Sequence, residues 1–315
     1  MNLSGPLYAL LAFAIFATHD VVIKFLGGTY SPFQLIFFTT LFSFPLVTFM
    51  LIQDSTHGNL RPKHPWWMLA RTFFATITGF TAFYAFSVLP LAQTYVLLFA
   101  TPLLITLLSI PILGEKVGAH RLGAVIVGLV GVLVVLRPGA TDLTLGHLAG
   151  ITSAVSNAMA SIIVRKIGQD ERPVVLMLYP MVAAFVVMGL LMIFVYKPMP
   201  IEHIGGVVVI SGLGFIAGLV LISAYKNGDA AIVAPMQYSQ IIWASIFGFL
   251  IFGESVDVST ILGAAIIILS GLYIVFRETR LGTKSQTPVL RTRSRGGTAA
   301  GFRVSYFLRR SKARG

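Results

Sequence analysis

Two charged residues stand four positions apart in the first of several long apolar stretches. Asp20 and Lys24 share one face of a predicted helix. Ionised groups inside a membrane span are costly, so this pair needs a partner or a function. In one interpretation the two residues neutralise each other, with Lys24 reaching toward the membrane surface. In the other, Asp20 lines a cavity as a substrate-binding and coupling carboxylate that carries a proton or pairs with a cationic solute. His19 is expected on a different face, as a packing residue.

Amide side chains recur in later apolar stretches and suggest recognition of a polar solute. Gln93 lies in the fourth stretch, and Gln237, Gln240 and Trp243 lie in the ninth. Their three-residue spacing keeps the last three near one helical stripe. Amides beside a flat aromatic ring suit a solute that is partly aromatic and partly polar. Hydrogen bonding between helices is the alternative. Tyr84 is a further substrate-binding candidate, although tyrosine also serves in packing.

Two prolines interrupt the stretches that carry these amides. Pro102 follows Thr101 in the fourth stretch, and Pro235 precedes Gln237 in the ninth. Proline frees a backbone carbonyl and lets a helix bend, as sites at the middle of a membrane require. Both prolines are therefore predicted to shape a central site.

Other chemistries are excluded by what the sequence lacks. There is no cysteine, no GxxxxGK[ST] phosphate loop and no HExxH pair. No set of residues resembles a nucleophile with its base and acid. The sequence therefore predicts no enzyme, no cofactor, no metal site and no ATP hydrolysis, and energy for any transport must come from a solute or ion gradient.

The elements that position these residues are membrane helices. The 315 residues are 56% hydrophobic and only 11% charged, whereas globular domains carry roughly 25% charged residues. Apolar runs of this length predict an all-α integral membrane protein. Ten helices are predicted, at 6–26, 32–52, 67–88, 90–113, 120–137, 146–166, 174–195, 204–225, 230–252 and 259–276.

The second half of the chain repeats the first. Lys24 returns as Arg165 and Glu115 as Glu254, at offsets of 141 and 139 residues. Each copy holds five helices, and because five is odd the second copy must be inverted in the membrane. The predicted units are a first repeat at 6–137, an inverted second repeat at 146–278 and a basic, disordered tail at 279–315.

The copies also differ, and the difference points to function. Helix 6 carries Ser161 where helix 1 carries Asp20, and Asn157 lies near its centre as a further substrate-binding candidate. Glu115 and Glu254 each follow a glycine at a helix end and are predicted to have a structural role at the corner where the chain turns. The alternative explanation for the absence of an acid at Ser161 is sequence drift between the two copies.

Charge bias predicts the orientation. With the N-terminus inside, the inner loops collect most of the basic residues, including Arg61, Lys63 and Arg165. Residues 277–315 hold 11 of the 23 Lys and Arg residues, as expected for a cytoplasmic tail beside anionic lipid. Both termini are thus predicted in the cytoplasm. No nucleic-acid-binding motif accompanies the charge.

The chain resembles the EamA-type branch of the drug/metabolite transporter superfamily. The residues that carry the resemblance are the Gly114-Glu115 and Gly253-Glu254 corners and the glycine-rich helix that ends at Arg137. The resemblance implies ten helices in two inverted repeats, alternating access without ATP, and a multi-pass position in the bacterial inner membrane. The segment from Asp20 to Lys24 resembles members assigned S-adenosylmethionine or riboflavin.

The expected function is a secondary active carrier for a small organic metabolite. Helices 1, 3, 4, 6, 8 and 9 would line its cavity, with a proton or another ion as coupling partner. The protein is expected to be a monomer or homodimer surrounded by lipid. Two alternatives remain: an exporter of amino acids or toxic compounds, and a membrane scaffold that acts through its basic tail. Deleting 282–315 separates carrier from scaffold.

Overall fold

A computed structural model describes residues 4–52, 60–115, 117–138, 143–168, 170–228 and 230–280. The predicted tail lies outside these residues except for 279 and 280. The described chain forms twelve α-helices: α1 Ser4–Gly27, α2 Pro32–Ile52, α3 Pro65–Val88, α4 Leu91–Leu98, α5 Thr101–Leu113, α6 Ala119–Leu136, α7 Leu145–Ile167, α8 Pro173–Met192, α9 Ile201–Asn227, α10 Ala230–Val233, α11 Ser239–Phe252 and α12 Val258–Arg280.

Two of the ten predicted spans are broken helices. The fourth divides into α4 and α5 around Phe99 and Ala100, and Pro102 stands in the first turn of α5. The ninth divides into α10, a 3₁₀ segment Ala234–Tyr238 that contains Pro235, and α11. Both prolines thus lie beside a helix break, because proline cannot donate the backbone hydrogen bond that would continue the helix. Counting each broken pair as one path gives ten spans.

The length and composition of the helices agree with a membrane-spanning fold. Seven segments are long and apolar enough to cross a membrane, including 91–113 taken as one path, and residues 32–48 form a shorter apolar helix. The predicted fold class, an all-helical membrane protein with ten spans, is confirmed.

The two repeats are related by internal pseudo-twofold symmetry, and their helices pack against one another. By the sequence offsets, α7 is the copy of α1 and α9 is the copy of α3. The most extensive helix contacts are α1 with α9 and α3 with α7, so each repeat packs its first span on the other's third. The equivalent helices α6 and α12 also pack together, and a Cβ atom on Gly131 would lie 2.9 Å from Gly263 O. Glycine permits this close backbone approach.

Equivalent glycines end the broken spans. Gly114 and Gly253 cap α5 and α11 with φ of 68° and 66°. This left-handed backbone favours glycine because it has no Cβ atom. Each cap turns the chain so that the following residue, Glu115 or Glu254, reaches back into the bundle.

Candidate functional site

A cavity lies at the centre of the bundle between the repeats. Its empty space is about 1320 Å³, counting the part that opens to solvent. The wall comes from α1, α3, α4, α5, α7, α9, the 3₁₀ segment and α11, which are the six spans predicted from the sequence, together with Val275 of α12. Aromatic rings dominate the wall, with small hydroxyl and amide groups between them. Such a mixture suits an organic solute rather than a bare ion.

Asp20 is the carboxylate of this cavity. It is 1% exposed, and its Oδ1 lies 2.7 Å from His19 Nδ1. Its Oδ2 accepts a hydrogen bond from the Tyr95 hydroxyl, and Tyr95 is equally buried. These contacts fix the orientation of the carboxylate at the wall.

His19 is where the sequence interpretation was wrong. It was expected on a different face from Asp20, as a packing residue, but it lines the cavity together with Asp20. Neighbouring helical positions diverge by only about 100°, so a wide cavity can contact both. Tyr95 was not selected as a site residue, although a tyrosine deep in an apolar span needs a hydrogen-bond partner and could have been found on that ground.

The described cavity wall offers an acidic side chain and no Lys or Arg. Among the described lining residues, Asp20 is the only carboxylate and none is Lys or Arg. The other titratable side chains of that wall are His19 and three tyrosines, Tyr95, Tyr225 and Tyr238. A site of this composition attracts a positive group on a solute.

Several predicted residues come together in the cavity. Asn157 on α7, Gln237 in the 3₁₀ segment and Gln240 on α11 all line it, as do Pro102 and Pro235. The structure therefore brings residues from both repeats and from both broken spans to one wall.

Three other predicted residues lie away from this wall. Gln93 Nε2 lies 3.0 Å from His147 Nε2, and Trp243 stacks on Phe247 with ring centroids 6.2 Å apart. Tyr84 packs against the main hydrophobic core. None of the three is among the cavity-lining residues.

Lys24 forms its ion pair with the other repeat. Its Nζ lies 2.7 Å from Glu254 Oε1 and donates a 2.5 Å hydrogen bond to Leu89 O. Glu254 Oε2 accepts a 2.9 Å hydrogen bond from Leu91 N. The sequence had left open a pair between Lys24 and Asp20, but the carboxylate beside Lys24 Nζ is that of Glu254, 230 positions away in the chain.

The equivalent pair stands at the opposite end of the bundle. Arg165, the copy of Lys24, pairs with Glu115, the copy of Glu254. Each pair joins the first span of one repeat to the corner after the fourth span of the other. The two ion pairs lie at opposite ends of α3. Met68, near the start of α3, packs at the Arg165 end, and the Leu89 carbonyl, just after α3, accepts a hydrogen bond from Lys24.

The two ends differ in how closely the spans approach. At the Lys24 end α1 packs along α3, and a Cβ atom on Gly27 would overlap the side chain of Ser87. The equivalent helices α7 and α9 make no comparable contact at the other end. The helices α1 and α3 therefore approach each other more closely than their copies α7 and α9 do.

A metal centre has no support among the described residues, where no group of three or more His, Asp or Glu side chains could hold an ion. Inverted, interlocked repeats around a central cavity with a few polar side chains are typical of a membrane transporter.

Comparison with known proteins agrees with that class. The EamA-like transporter family model matches residues 3–137 and 144–277, and the chain belongs to this family. Among curated proteins, the chain is 29% identical to an S-adenosylmethionine uptake transporter of Rickettsia prowazekii over 281 residues, covering 88% of this chain and 94% of the relative.

Other relatives have different names. A riboflavin transporter of Vibrio cholerae is 30% identical over 226 residues, 70% of this chain and 75% of the relative. A pseudopaline exporter of Pseudomonas aeruginosa is 24% identical, covering 85% and 94%. One solved crystal structure matches with a TM-score of 0.59 at 20% identity, over 90% of this chain and 98% of that one, which supports the fold.

Proposed function

We propose that this transporter is a secondary active carrier that moves a small, positively charged organic metabolite across the bacterial inner membrane by alternating access. An S-adenosylmethionine-like solute is the leading candidate. The observation that carries this proposal is a buried carboxylate, Asp20, on a central cavity wall whose described residues include no Lys or Arg.

The chemistry of the wall supports this substrate class. A sulfonium or ammonium group beside Asp20 would add a cationic partner to its contacts with His19 and Tyr95 and would further stabilise a carboxylate that is costly to bury. The aromatic rings offer flat surfaces for a nucleobase and further attraction for a cation. The relatives named as S-adenosylmethionine uptake transporters agree with this reading.

Alternating access is supported by the inverted repeats, each of which packs its first span on the third span of the other around the cavity. We place the Lys24 end at the periplasm and the Arg165 end, with both termini, in the cytoplasm, because basic residues collect on that side. We propose no enzymatic activity and no cofactor.

Export is the second candidate, because a carrier runs in the direction of its gradients and one relative is a named exporter. The same cavity serves either direction. Uptake into right-side-out vesicles and into everted vesicles, each with an imposed pH gradient, separates the two directions.

Transport of labelled S-adenosylmethionine into proteoliposomes tests the proposal. Asp20→Asn should abolish uptake and its dependence on the pH gradient. Asp170→Asn, the same change at a side chain that is 61% exposed near His64, is the matched control and should transport normally. Wild-type uptake with unchanged pH dependence in Asp20→Asn would remove Asp20 from both substrate binding and coupling.

A further inference from the structure

Gln240 is the most deeply buried amide on the cavity wall. It lies in the first turn of α11, directly after the 3₁₀ segment, and its side chain is 3% exposed. Its Nε2 is buried and has no hydrogen-bond partner among the described residues. A buried donor without a partner destabilises a fold, so its retention in a cavity wall indicates that a ligand supplies the missing acceptor.

Two hydroxyl groups on the same cavity wall are different, because the protein itself uses their donors. Thr78 Oγ1 donates to Phe74 O at 2.8 Å, and Ser153 Oγ donates to Thr78 O at 3.3 Å. The first bond lies within α3, and the second joins α7 to α3. Gln240 instead holds a donor ready for a solute.

A row of aromatic rings runs from Asp20 to Tyr238, which lies two positions before Gln240 in the chain. Tyr95, which donates to Asp20, has its ring 6.0 Å from Phe99, and the ring of Phe99 lies 5.3 Å from that of Tyr238. Tyr238 precedes Gln240 by two residues. The cavity thus has a carboxylate at one end of an aromatic wall and an unpartnered donor near the other.

We propose that Gln240 Nε2 donates a hydrogen bond to an acceptor atom of the substrate. The site then selects solutes that combine a positive charge with an acceptor at the far side of a flat body, and it discriminates against amines that offer positive charge alone. This inference rests on the proposed function, since it takes Asp20 as the cation-binding end. A site built to hydrogen-bond a ligand group rejects analogues that lack the group.

Gln240→Met tests this role, because methionine keeps the length of the side chain and removes the donor. Without ligand, the purified variant should melt at the wild-type temperature or higher, since an unsatisfied buried donor is gone. Its affinity for S-adenosylmethionine should fall roughly ten- to hundredfold. Stability and affinity should therefore move in opposite directions.

Gln93→Met is the matched control on α4. Its amide contacts His147 outside the cavity wall, so the change should lower the melting temperature and leave affinity for S-adenosylmethionine unchanged. The two variants carry the same substitution, but only Gln93→Met should lower the melting temperature and only Gln240→Met should lower the affinity.

Decarboxylated S-adenosylmethionine identifies the acceptor, because it keeps the sulfonium and nucleoside but lacks the carboxylate. A loss in Gln240→Met that is confined to the full ligand assigns the acceptor to the carboxylate; an equal loss for both ligands assigns it to the nucleoside. Either result supports the donor role. Wild-type affinity in Gln240→Met, or a lower melting temperature without ligand, overturns it. If the wild-type protein binds neither ligand, the proposed function is refuted, and the Gln240 inference with it.

Discussion

Reversing the charges of Lys24 and Glu254 tests the link between the repeats. The two side chains are only 11% and 17% exposed, so a single reversal leaves like charges together in a poorly solvated site. Breaking a buried ion pair costs about 3–5 kcal/mol. Lys24→Glu and Glu254→Lys should each destabilise the protein by at least about that amount.

The double reversal should recover about half of the loss expected from two independent reversals. It restores opposite charges, but Leu89 O loses its Nζ donor and Leu91 N loses its carboxylate acceptor. At about 1.5 kcal/mol for each hydrogen bond to a charged group, the double variant should stand about 3 kcal/mol below wild type. The sum of two independent reversals would be about 6 kcal/mol or more.

Unfolding of the micelle-bound protein by sodium dodecyl sulfate, followed by circular dichroism, measures these differences. Asp257→Asn is the control at the pair with Arg137, whose side chains are 48% and 33% exposed, and it should cost no more than about 1 kcal/mol. If the double reversal is no more stable than either single one, Lys24 and Glu254 are not each other's partners and the account of the repeat contact fails.

Two further predictions concern packing and orientation. Gly131→Leu should lower stability by about 1–3 kcal/mol because its side chain would meet Gly263 O. Gly123 lies on the same helix, and a Cβ atom there meets nothing within 4 Å, so Gly123→Leu should melt near the wild-type temperature. Equal melting temperatures for the two variants would contradict the α6–α12 contact. Because the chain has no cysteine, Leu143→Cys and Leu60→Cys, both at exposed positions, can report its orientation. Impermeant maleimide on intact cells should label the first and not the second, and the reverse pattern would refute cytoplasmic termini.

The helical architecture could be read from the sequence because lipid leaves few alternatives. Apolar length sets each span, and the repeat offset sets the inversion, so the observed helices begin and end within a few residues of prediction. The breaks near Pro102 and Pro235 follow from the chemistry of proline. The repeat offsets could not show which repeat each charged side chain contacts. Lys24 and Glu254 meet because the first span of one repeat packs against the other repeat.

The site was only partly predictable for a related reason. Asp20, Asn157, Gln237 and Gln240 lie on the cavity wall, as expected of polar groups in apolar spans. Gln237, Gln240 and Trp243 were placed on one stripe by assuming a uniform helix. A 3₁₀ turn holds three residues, so Gln237 and Gln240 stay near one face. Gln240 and Trp243 both lie on α11, where a three-residue step falls about 60° short of a full turn, and Trp243 stacks on Phe247.

The proposed function depends above all on Asp20 binding a positively charged group of the solute. S-adenosylmethionine and S-adenosylhomocysteine test this directly, because they differ in the sulfur methyl group that creates the sulfonium charge. Calorimetric titration should show that the wild-type protein prefers S-adenosylmethionine roughly ten- to hundredfold, as expected for one interaction with a charged group. Asp20→Asn should bind the two ligands with similar affinity. Retention of the wild-type preference in Asp20→Asn would contradict the claim.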